Sequence, residues 1–144
     1  MTAPTAPPSA PAEPVALRRV WWVGLAALAV AVLVNGLVRA AALATLDVDP
    51  GFAPLQTYMF VPLTLVGGGL GVVVFALLAR FTRRPITLYR LIAGAALLLS
   101  LLPDLGLLGF MPGATAATVG ALMVMHALTA AIVVGALTRF TRAR

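Results

Sequence analysis

The chain has 144 residues, of which 62% are hydrophobic and 10% charged, and its mean hydropathy is +1.07. So few charges cannot clothe a soluble domain of this size, whereas a bilayer requires no polar surface. The net charge of +6 comes entirely from arginine. Those arginines flank apolar runs, so they read as determinants of topology, and no nucleic-acid partner is expected. Cysteine is absent, which excludes disulfides, thiolate metal sites, thiol nucleophiles and cysteine lipidation.

Residues 1–17 open with MTAPTAPPSAPAEP, a Pro/Ala-rich stretch with too little apolar surface to bury, and are expected to form a disordered cytoplasmic tail. The remainder, 18–144, is expected to be one four-span membrane domain.

The first span is predicted at about residues 20–44. It follows Arg18 and Arg19, and Trp21 and Trp22 stand at its start, where amphipathic rings favour the headgroup level. Ala42-Leu43-Ala44 has the look of a signal-peptide cleavage site. The apolar run is too long for such a signal, however, and Asn35 and Arg39 lie within it, so the span is expected to be retained. The segment TLDVDPGFAPLQTYMF, 45–60, is the longest loop, with turn chemistry at Asp47, Asp49, Pro50 and Gly51. A second span is expected at about 61–81, carrying Gly67, Gly68, Gly69 and Gly71. A third follows at about 88–108, with Ser100, Pro103 and Asp104 in its distal half. The fourth, about 115–138, has His126 near its middle.

Nine of the ten arginines fall at three places: Arg18 and Arg19; Arg80, Arg83, Arg84 and Arg90; Arg139, Arg142 and Arg144. In a four-span chain all three places share one side. The positive-inside rule therefore predicts an all-α, integral membrane four-helix bundle with both termini cytoplasmic. The Arg-rich, lysine-free composition suggests a bacterial chain, and the expected location is the bacterial cytoplasmic (inner) membrane.

A charged side chain near mid-membrane costs at least ~2.5–3.5 kcal/mol on insertion scales, so such groups normally face the bundle interior and have partners. Asn35, Arg39, Ser100, Asp104 and His126 are the candidates. At a rise of ~1.5 Å per residue, Arg39 stands about 28 Å from the cytoplasmic end and Asp104 about 24 Å. The two are expected to pair, closing the first span on the third. Asn35 lies one turn from Arg39, Ser100 one turn from Asp104, and His126 reaches the same depth from the fourth span. The cluster reads either as structural glue that fixes helix order or as a ligand or ion site open to the outside.

Ser100, Asp104 and His126 are also the residue types of a hydrolase triad, but no catalytic residue is assigned, because sequence fixes no mutual geometry. One histidine and scattered carboxylates predict no metal and no cofactor. Gly67 with Gly71, Ala116 with Gly120, and Ala131 with Gly135 have the small-xxx-small spacing of close helix packing, within the chain or in a homodimer.

Asn35, the loop DVDPGFAPL (47–55), LLARFTRRP (77–85), LLLSLLPD (97–104) and MVMHALTAAIVVGALTR (123–139) together resemble a small four-helix bacterial membrane family of unknown function. The resemblance points to Asn35, Ser100 and His126 and implies no activity. Some members carry an outer-membrane or cell-envelope label. Helix-length apolar runs that do not alternate oppose a β-barrel. The expected function is a binding or assembly protein that holds a lipid or a partner membrane protein. The alternative is a small transporter or channel component using Asp104 and His126, with a membrane-embedded enzyme as a distant third.

Overall fold

The computed structural model describes residues 12–143. Four helices make up the bundle: α1, Leu17–Thr45; α2, Thr57–Phe81; α3, Pro85–Gly106; and α4, Ala116–Phe140. A short 3-10 turn, Ala53–Leu55, leads into α2. Each helix is long and apolar enough to cross a membrane.

Helix ends follow local chemistry. Pro85 opens α3, where its missing N–H is no loss. Thr115 caps α4: its hydroxyl accepts from the Thr118 N–H at 3.2 Å, and the Thr118 hydroxyl in turn accepts from the Thr115 N–H at 3.4 Å. Gly113, in the turn before α4, has φ +80°, and a Cβ there would lie 2.7 Å from Asp49 Oδ2. Only glycine combines that backbone with that contact. It brings the α3–α4 turn against the α1–α2 loop.

Packing follows a stripe of small residues. On α1 the buried positions Val20, Gly24, Ala27, Ala31, Asn35 and Ala42 recur at helical spacing. Without lipid-repelling forces to drive association, such small side chains let backbones approach and gain dispersion contacts. At Gly24 a Cβ would stand 2.6 Å from Val72 Cγ1, and at Gly68 one would stand 2.5 Å from Leu28 Cδ2. α1 packs most extensively on α4, then on α2, while α3 leans on α4 and more lightly on α2. α2 and α4 touch across one diagonal, which holds α1 and α3 apart on the other.

Two apolar clusters stack along the bundle. One joins Val20, Val72, Phe75, Ile86, Tyr89, Val133 and Leu137 at the end that carries the termini. The Phe75 and Tyr89 rings meet there, 4.8 Å between centroids. The other joins Ala42, Phe52, Leu55, Phe60, Leu122 and Met125 at the loop end. Leucines such as Leu33, Leu37, Leu63, Leu70 and Leu98 face outward and are exposed along the belt. That apolar surface far exceeds what a soluble monomer displays and suits acyl chains. Exposed Trp22, Phe81 and Phe140 ring one end, and Tyr58 and Phe110 the other, as interfacial aromatic girdles do.

Most of the expected tail, 1–11, lies outside the described residues. From Ala12 onward the chain lies against the bundle. Val15 bridges Arg142, the Ala143 N–H donates to Pro14 O at 3.0 Å, and the Glu13 N–H donates to Arg83 O at 2.9 Å. The Glu13 carboxylate accepts from the Ile86 and Thr87 N–H groups at 2.8 and 3.1 Å and from the Thr87 hydroxyl at 2.6 Å. These bonds gather the N-terminal segment, the α2–α3 turn and the C-terminus, with their arginines, at one end of the bundle.

A candidate ligand cleft between α2, α3 and α4

Between the two apolar clusters lies a polar layer. Asn35, on the inner stripe of α1, is 2% exposed and sends its amide into the bundle. Its Nδ2 donates to Thr64 Oγ1 of α2 and to Thr129 Oγ1 of α4, each at 3.0 Å. One side chain thus ties three helices. Its Oδ1 is buried and has no hydrogen-bond partner among the described residues.

The second polar pair is nearer the loop end. Asp104, in the last turn of α3, is 7% exposed, and its Oδ2 lies 3.0 Å from His126 Nδ1 of α4. The same Nδ1 lies 3.1 Å from Leu122 O, one turn back on its own helix. A carbonyl oxygen only accepts, so that contact takes the ring N–H. Asp104 Oδ2 and Leu122 O thus both face the same ring nitrogen, and the imidazole is the close polar neighbour of the carboxylate.

Both groups line one cleft of about 600 Å³. Its back wall is α4, including Leu122, Met125, Thr129 and Val133. The glycines Gly67, Gly68 and Gly71 make a low wall on α2. Tyr89 closes the end toward the termini, and its hydroxyl sits 3.1 Å from where a Gly71 Cβ would be. The rim is apolar and exposed: Leu63, Gly67 and Leu70 on α2, and Ile92 and Ala96 on α3. The opening therefore faces the acyl region of a bilayer.

The candidates named from sequence separate into two groups. Asn35, Ser100, Asp104 and His126 all line the cleft. Arg39 does not. The expected Arg39–Asp104 pair does not form, because α1 and α3 stand on opposite corners of the bundle. Arg39 Nε instead donates to Leu55 O at 2.7 Å, holding the 3-10 turn, and Asp104 turns to the adjacent α4. Ser100 Oγ donates to Leu97 O at 2.7 Å, on its own helix, rather than to His126.

Thr64, Thr129 and Tyr89 were absent from the sequence candidates. Thr129 had a usable signal, since it lies three residues after His126 and so shares its face. Thr64 had only its polarity within an aliphatic run. The packing glycines also differ from expectation. Gly68 and Gly24 make the tight contacts, whereas a Cβ on Gly67, Gly120 or Gly135 would meet nothing within 4 Å in the single chain. Gly71 meets the Tyr89 hydroxyl and Val133.

Four apolar helices with an outward-facing leucine belt and a cleft between them define a multi-pass helical membrane protein. The chain matches a family of unknown function, DUF6069, over residues 14–143, and it belongs to that family. No curated protein and no solved structure gives a significant match.

Proposed function

We propose that the protein holds an amphipathic, lipid-like ligand in this cleft, taken up sideways from the bilayer between α2 and α3. The observation that carries the reading is the cleft itself, an apolar cavity of about 600 Å³ whose lining includes the buried residues Asn35 and Asp104. The cavity volume falls in the range of small-molecule sites, which run from about 300 to 1,000 Å³ with few polar groups in an apolar lining. The glue reading accounts for the two bonds made by Asn35 Nδ2 but not for the carbonyl beside them.

In this reading the membrane is the bacterial cytoplasmic membrane. The arginine-rich end that carries both termini faces the cytoplasm, as the positive-inside rule requires.

Native mass spectrometry after gentle extraction tests the assignment, with Gly67→Leu as the control. A Cβ at Gly67 meets open space, so the variant keeps the bundle while its side chain occupies the cleft mouth. A discrete bound mass on the wild type that is missing from the folded variant is the expected result. A bare wild-type protein, or an adduct that Gly67→Leu retains, removes the assignment.

A second reading is favoured by one observation, the carboxylate–imidazole contact of Asp104 and His126 inside the span. Such pairs mark proton pathways in transporters. It predicts proton-coupled flux in proteoliposomes that Asp104→Asn abolishes without unfolding the protein. Proteoliposomes that carry no such flux leave the binding reading alone.

A further inference from the structure

We infer that the end of the bundle carrying the termini holds an anionic phospholipid, its phosphate seated on Arg90 of α3 and Arg142, just beyond α4. Neither arginine lines the cleft, so this site stands or falls independently of it.

Charge is the first argument. Among the described residues that end has eight arginines, all exposed, and a single carboxylate, Glu13. The oxygens of Glu13 are already engaged at the start of α3, by the Ile86 and Thr87 N–H groups and the Thr87 hydroxyl. None of the eight arginines makes an ion pair among the described residues, where the one contact of that kind joins His126 and Asp104. Cations gathered without counter-charge repel one another, and an anion from outside the chain relieves that repulsion.

Charge alone would attract anions anywhere around that end, and hydrogen bonding picks out one place. Arg90 Nη2 donates to Thr138 Oγ1 at 3.4 Å, and Arg142 Nε donates to Thr138 O at 3.1 Å. Thr138 is 1% exposed, and its hydroxyl donates in turn to Val134 O at 2.8 Å, so the anchor is fixed. Two guanidinium groups are thereby tied to two oxygens of one buried residue, while both side chains stay exposed. Each spends one of its five N–H donors on the anchor. The remaining donors form the fork that phosphate oxygens accept in parallel pairs. Stems held in advance lose less freedom when the anion binds.

Depth identifies the source. Phe140, two residues beyond Thr138, is one of the exposed aromatics that mark this interface, so the anchor lies at headgroup level. Basic pockets between spans at that level bind anionic lipid heads. A choline head would add a cation beside the arginines, with no free carboxylate to receive it, whereas a glycerol head adds none.

The test uses delipidated full-length protein in a neutral detergent, titrated by native mass spectrometry with phosphatidylglycerol and phosphatidylcholine of identical acyl chains. Phosphatidylglycerol is expected to bind at least about tenfold more tightly, about 1.4 kcal/mol. Arg90→Gln and Arg142→Gln should each weaken it about fivefold, near 1 kcal/mol per arginine, with the melting temperature retained. Arg18→Gln combined with Arg19→Gln removes two exposed charges from the start of α1 and should change binding by less than about twofold, since distant exposed charges are screened. Equal binding of the two lipids overturns the site. So does a loss in the Arg18 and Arg19 variant as large as that from Arg90→Gln or Arg142→Gln, which would leave only diffuse attraction. Inorganic phosphate that binds in a manner sensitive to Arg142→Gln, with no preference between the lipids, makes the occupant a soluble anion and overturns the lipid. Loss of phosphatidylglycerol binding in Gly67→Leu moves the lipid to the cleft and overturns the site as well. If one of the two single variants fails to fold, the other decides.

Discussion

Replacing Asn35 with leucine separates a ligand site from structural glue by magnitude alone. Leucine keeps the volume of the side chain, so the change removes polar interactions without opening a large cavity. Two hydrogen bonds are lost, those to Thr64 and Thr129. Inter-helix bonds in membrane proteins average about 0.6 kcal/mol each, so their loss costs on the order of 1.2 kcal/mol. The freed threonine hydroxyls can turn back to the carbonyl one turn earlier, as Thr82, Thr138 and Thr141 do. Against this, the substitution deletes a buried carbonyl that has no partner, which relieves about 1–3 kcal/mol. The net change in the ligand-free protein should thus lie between about 0.2 kcal/mol of destabilisation and about 1.8 kcal/mol of stabilisation. Reversible unfolding of delipidated protein, by steric trapping or by denaturant in mixed micelles, measures it. A loss above about 3 kcal/mol would refute the reasoning, because it would mean that the Oδ1 has a partner in the folded protein and that Asn35 is a structural bolt.

Gly24→Ala should destabilise the bundle by about 1–3 kcal/mol, because the new methyl meets the stiff, branched Val72 at 2.6 Å; Gly120→Ala, with open space around it, should be neutral or stabilising by up to about 1 kcal/mol, and paired thermal melts check the contrast. Docking of the N-terminal segment should depend on acid. The Thr87 hydroxyl hydrogen bond holds the Glu13 carboxyl below the usual glutamate range, against the opposing effect of burial and with help from the Thr87 and Ile86 N–H groups and Arg142. A depressed folded value means the contribution is complete above the unfolded value of about 4.3 and is lost as pH falls through the folded value. The protection factors of the Ile86 and Thr87 amides, which divide out the intrinsic pH dependence of exchange, should therefore be high at pH 6 and fall as the pH drops below about 4, and Glu13→Gln should remove that fall. Reporter fusions after Leu55 and Pro112 should lie outside and those after Arg84 and Ala143 inside; a single reversed fusion breaks the proposed orientation.

How much of this was legible beforehand depends on whether the information is local. Apolar runs of helical length, the arginines between them and the turn chemistry of Asp49, Pro50 and Gly113 are properties of short segments. Hydropathy acts residue by residue, so four spans with all their arginine clusters at one end follow from the sequence alone. That polar groups within the spans would turn toward the bundle was an expectation for Asn35, Arg39, Ser100, Asp104 and His126 alike; all but Arg39 line the cleft. Which of them meet was not legible. Depth along the helix placed Arg39 beside Asp104, but depth is one coordinate of three. The cyclic order of the helices and the close α2–α4 diagonal put those two residues on opposite corners and gave Asp104 to His126. Glycine spacing likewise marked small residues but not their neighbours. Only the packed bundle distinguishes Gly68, pressed against Leu28, from Gly67, one residue earlier and facing an open cleft, because successive residues on a helix point about 100° apart.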